Sequence, residues 1–112
     1  MNDSILGTIK RMLGYDAETD TPFDTEIIQH INSAFSVLTQ LGLGPASGFS
    51  ISDNEAVWSD IIPEGMNLEM VKQYVYLKVR VIWDPPASSA ALEAMKAEIS
   101  QDEFRISVEV DK

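Results

Sequence analysis

Residues 74–86 read Tyr-Val-Tyr-Leu-Lys-Val-Arg-Val-Ile-Trp-Asp-Pro-Pro, and the fold turns on how that stretch is read. It closes a segment, from Asn67 to about Trp83, in which Leu68, Val71, Val75, Val79 and Ile82 recur at helical spacing, with Met70, Tyr74, Leu77 and Val81 beside them. The polar stripe of Glu69, Gln73, Tyr76 and Arg80 is narrow. A helix apolar over so much of its circumference is buried on several sides, either centrally in its own domain or between subunits. Asp84-Pro85-Pro86 then stops it, because each proline lacks a donor, clashes with the preceding turn and pushes the residue before it out of the α region.

Beyond the prolines, Ser88 or Ser89 can cap a helix whose alanine-rich run from Ala90 to about Asp102 presents Leu92, Met95 and Ile99. The period then changes. Phe104, Ile106, Val108 and Val110 alternate with Arg105, Ser107 and Glu109, a period-2 pattern that predicts a strand. Such a strand needs a partner, either the short alternating segment 49–52 or a sheet edge of another molecule.

Towards the N-terminus, Asp24 is the expected cap of a helix carrying Ile27, Ile31, Ala34, Leu38 and Leu41, with Phe23 placed to staple onto Ile28 and Gly42-Leu43-Gly44-Pro45 as its stop. A shorter helix with Ile5, Leu6, Ile9, Met12 and Leu13 starts at Asp3 or Ser4 and ends at Gly14. Residues 15–23 read as an acidic loop, and Glu55 to Ile62 as a turn or two of helix in an otherwise irregular connection. The expected class is mainly α: a small bundle of about four main helices, a long irregular connection between the second and third, and a short C-terminal β-strand. This divides the chain into a helical domain, 1–103, and a partner-binding tail, 104–112.

At 112 residues the chain suits one core. It contains no cysteine, which excludes disulfides, thiolate metal sites and thiol nucleophiles. Lys78 and Arg80 interrupt the longest apolar run, so no membrane span is expected and the chain reads as soluble. With 18 acidic against 8 basic residues the net charge is -10, the wrong sign for neutralising phosphates. Three readings of that charge stand: solubility, a DNA mimic acting as an acidic regulator or inhibitor, or a surface that lies near DNA without adhering to it.

No reaction centre emerges from the sequence. Asp16, Glu18 and Asp20 alternate as in a calcium-binding loop, but Thr21 stands where that loop needs glycine and Ile27 where it needs a bidentate glutamate. His30 is the only histidine, so neither a two-histidine metal pair nor a Ser/His/Asp triad with Ser47, Ser50, Ser52 or Ser59 is expected. We therefore expect no enzyme, no metal and no cofactor. Lys78 projects on the apolar side of its helix, where its stem either snorkels to water or meets a carboxylate, for example one of a neighbouring copy. The expected interface residues are Tyr76, Lys78, Arg80, Trp83, Phe104, Ile106, Val108 and Val110.

Several segments, in order, resemble the head-tail connector (adaptor, or head-completion) proteins of long-tailed phages and prophages. They are Ile28, Ile31-Asn32, Phe35, Leu38 and Gln40-Leu41-Gly42 running into Gly44-Pro45; Gly48-Phe49-Ser50-Ile51; Trp58-Ser59-Asp60; Tyr76-Leu77-Lys78-Val79-Arg80 followed by Asp84-Pro85-Pro86; and the Phe-Arg-Ile-Ser-Val-Glu-Val-Asp tail. The resemblance implies a structural subunit of the virion, made in the host cytoplasm, that forms a ring with copies of itself, typically twelvefold. The ring would sit beneath the portal protein, with a tail-completion or stopper protein docking below and DNA passing through without specific binding. It implies no catalytic residue, no cofactor and no membrane contact.

Overall fold

The computed structural model describes residues 4–16, 19, 21–44, 47–60, 62 and 67–110. Among these residues four helices follow one another, α1 (Ile5–Met12), α2 (Asp24–Gln40), α3 (Leu68–Trp83) and α4 (Ser89–Val110), with a 3-10 turn at Trp58–Asp60 before α3. Asp3, Glu18, Asp20, Pro45 and Pro63, on which parts of the sequence reading fall, lie outside the described residues.

The helix ends follow local chemistry. Ser4 caps α1, its Oγ accepting the Gly7 N–H at 2.9 Å. Asn67 Oδ1 does the same for Met70 at the start of α3, and Ser88 Oγ for Ala91 at the start of α4. At the end of α2 the N–H groups of Gly42 and Leu43 return to the carbonyls of Thr39 and Leu38, a Schellman stop. Gly42 has φ +97, a conformation that favours glycine, and a Cβ there would crowd Val110 Cγ1 at 3.0 Å.

α3 is the hub and packs on α1, α2 and α4. Val71, Tyr74, Val75, Leu77 and Val79 are buried; they join Ile5, Leu6 and Ile9 of α1, Ile27, Ile31, Phe35 and Leu38 of α2, and Ile99 and Ile106 of α4 in one core. Ile82, expected on the apolar face, is instead exposed. Its stripe, Val71, Val75, Lys78 and Ile82, is buried at the first two positions, half-buried at Lys78 and open at the last.

The connection between α2 and α3 is tied down by side chains. Asn32 Nδ2 donates to the Ile51 carbonyl (2.9 Å) while its Oδ1 accepts the Ile51 N–H (2.8 Å), so one amide serves the backbone as a neighbouring strand would. Phe49 lies against Phe35, ring centroids 4.7 Å apart. Trp58 is buried edge-on to Phe35 and donates Nε1–H to Thr8 Oγ1. The only β-type pairing among the described residues is an isolated bridge between Ser4 and Val57.

Two further expectations are corrected. Residues 104–110 form no strand: α4 continues unbroken to Val110. Consecutive side chains on a helix turn by about 100°, so residues two apart point in nearly opposite directions. Ile106 faces the core and Val110 lies half-buried near Gly42, whereas Phe104 and Val108 face solvent. Ile99, Ile106 and Val110 in fact share a helical stripe, which Asp102 interrupts with a carboxylate; that break masks the period of 3.6. Asp24, in turn, does not cap α2. It is the first helical residue, makes no side-chain cap bond, and turns its carboxylate to Lys10.

Candidate interaction surfaces

The expected interface residues on α3 lie near its C-terminal half and are largely engaged within the chain. Arg80 folds along its own helix, donating to Tyr76 Oη (2.9 Å) and to the Asp84 carbonyl (3.3 Å), which braces the turn into the prolines. Trp83 donates Nε1–H to Tyr15 Oη (3.1 Å), meets Phe23 edge-on at 5.4 Å and has His30 at 6.1 Å. This aromatic cluster joins the end of α3 to the start of α2 and to the residue after Gly14. Lys78 is half-buried, and no ion pair forms on it among the described residues.

The four expected residues on α4 separate by face. Phe104 and Val108, one turn apart, line a groove with Arg105 and Glu109 of α4 and with Asn67 and Met70 from the start of α3. Ile106 and Val110 take no part in that surface. A second groove, between α2 and the connection, is lined by Asn32, Ser36, Thr39, Gln40, Ser47, Gly48, Phe49 and Ser50. None of those side chains titrates near neutrality, so the groove offers no acid–base pair.

Two polar constellations escaped the sequence reading. Lys10 is buried, and its Nζ meets Asp24 Oδ1 at 2.7 Å, tying the end of α1 to the start of α2. The other lies between α3 and α4. Gln73 Nε2 donates both to Glu98 Oε2 (3.1 Å) and to Asp102 Oδ2 (3.2 Å), and Tyr74 Oη–H donates to Glu103 Oε2 (2.9 Å). Asp102 is fully buried, and its Oδ1 has no donor among the described residues. Burial raises its carboxyl above the usual range; the Gln73 bond opposes this, and the charge of Glu98 adds to it. Burial and the Glu103 carboxylate likewise push the Tyr74 phenol well up. The detectable signals were an acid three residues after Ile99 and four before Ile106, and a lysine directly after Ile9 on a short helix.

Among the described residues no group of three or more His, Asp or Glu side chains could hold a metal ion, and no helix is long and apolar enough to cross a membrane. What the geometry offers is packing surface. The family described as phage connector protein matches residues 5–112, a span that takes in all four helices and both sides of α4. The chain belongs to this phage connector family; it is a structural, virion-associated phage protein that assembles with other head and tail components. No curated protein and no solved structure matches it.

Proposed function

We propose that the chain is one subunit of a head-tail connector ring that docks beneath the portal and links the DNA-filled capsid to the tail. The observation that carries this reading is the family match over residues 5–112, which leaves no helix outside it. Physical features support it. A net charge of -10 would let DNA pass through a channel without adhering. A hub helix whose core stripe emerges into solvent at Ile82, and a last helix with Phe104 and Val108 exposed, leave apolar surface for partners. Phe104 and Val108, on the outward side of α4, belong to such a partner contact. Below the ring a tail-completion or stopper protein docks, and the ring is twelvefold to match the portal.

The reading is tested by mixing the purified chain with purified portal assemblies and following both by size-exclusion chromatography. Co-elution at a fixed ratio is expected. Two unchanged, separate peaks across concentrations that saturate other portal contacts would count against it.

A further inference from the structure

We propose that neighbouring copies of this chain meet head to tail, the outer face of α4 around Phe104 and Val108 of one copy seating against the α2-start/α3-end corner around Phe23 and Ile82 of the next. This deepens the ring reading above and rests on it for the identity of the partner, a second copy of the chain.

The argument begins with where exposed apolar surface lies. Among the described residues, the large apolar side chains standing 41 to 69% exposed are Met12, Phe23, Ile82, Phe104 and Val108. They fall into two groups. Met12 ends α1, Phe23 precedes α2 and Ile82 lies in the last turn of α3; the Lys10–Asp24 ion pair and the Phe23–Trp83 contact hold these three helix ends at one corner. Phe104 and Val108 sit instead beside Met70, near the other end of α3. Met70 and Ile82 are twelve residues apart, which is about 18 Å along the helix.

Two different patches at opposite ends of the hub helix suit a heterologous contact, in which each copy offers one patch forward and the other back. Such contacts close into rings when the rotation per copy allows it. A single self-complementary patch would give dimers and leave the other patch bare.

Charge points the same way. Copies carrying -10 each repel one another, so they must meet where the acids are locally offset or complemented. Arg105 is exposed beside Phe104, with Glu109 half-buried in the same groove. At the opposite corner Glu26, one turn after Phe23, and Asp84, directly after Trp83, are exposed. The proposed contact sets Arg105 of one copy against Glu26 and Asp84 of the next. Of the two guanidiniums at that corner, Arg80 is turned back onto Tyr76 and the Asp84 carbonyl, and Arg11 lies exposed beside Met12 in the last turn of α1.

The chain has no cysteine, so introduced thiols report without background. Ile82→Cys and Val108→Cys are made as separate full-length proteins and as one double variant. Both sites are exposed, and the helical circular dichroism should be unchanged. Each preparation is treated with a short bismaleimide, first as free protein at high concentration and then bound to portal assemblies. The proposal expects a cross-linked dimer from the mixed single variants, little or none from either alone, and a ladder of multimers from the double variant. Cross-linking of Val108→Cys to itself as strong as in the mixture, or no ladder in either setting, would overturn it. Portal-bound rings without 82–108 cross-links would overturn this contact and leave the connector reading standing. Ladders without portal binding would do the reverse.

Discussion

Asp102 is a carboxylate placed where the stripe of α4 calls for an apolar side chain, with one oxygen bonded to Gln73 and the other lacking a donor among the described residues. Burial holds its folded-state carboxyl above the usual carboxylate range, so the folded chain holds that proton more tightly than the unfolded one. The sign follows directly: this group weakens the fold progressively as pH rises from the usual carboxylate range through the raised folded-state value, and the weakening is complete above it. Asp102→Asn keeps the acceptor for Gln73 and adds a donor towards Glu98. It should raise the urea midpoint at neutral pH, an effect on the order of 1 kcal/mol, and flatten the pH dependence of stability between mild acid and neutrality. A lower midpoint in the variant would refute this account of the α3–α4 interface. Lys10 is the converse case, a buried cation with its carboxylate in contact. Lys10→Ala would strand Asp24. Breaking a buried pair costs about 3 to 5 kcal/mol, and the partial exposure of Asp24 places the loss near the lower end; an unchanged denaturation midpoint would contradict it.

At the scale of elements, what could be read from the chain depended on whether one physical signal acted alone. The proline stop after Trp83, the Gly14 and Gly42 terminators and the apolar stripe of α2 were legible because each is a local rule with no competitor. The end of α4 was not. Its β-branched residues alternate, and Asp102 breaks the helical stripe just before them, so the local pattern favours a strand. Packing of Ile99 and Ile106 against the core decides for helix. The part played by Asn32 was equally hidden, since a side-chain amide that pairs with Ile51, 19 residues away, leaves no periodic trace. Of the expected interface residues, the helix leaves Phe104 and Val108 outward and takes Ile106 inward, a separation invisible to a period of two. This makes a sharp prediction. Ile106→Asp should cost several kcal/mol by burying an unpaired charge, whereas Val108→Asp should stay within about 0.5 kcal/mol. Thermal melts followed by circular dichroism would separate the two; equal losses would indicate that both side chains share one environment.

At the scale of the whole molecule, one helix is in contact with the other three, and apolar surface remains at the two ends of that hub. The assignment to the phage connector family turns this layout from a monomer's blemish into a plan for assembly. In the proposed connector, acid in excess would hold copies apart in dilute solution and keep DNA from adhering to a channel wall, and the apolar patches would supply the attraction once a partner aligned them. Val108→Asp, neutral for folding, should then lower the yield of portal-bound assemblies, and parent-like yield from a well-folded variant would remove α4 from the interface. The most direct test of the connector role is electron microscopy of the purified chain mixed with portal assemblies. The account predicts an added ring of density, coaxial with the portal, with one copy of the chain per portal subunit. Portals that remain bare, or that carry scattered off-axis copies without ring symmetry, would contradict it.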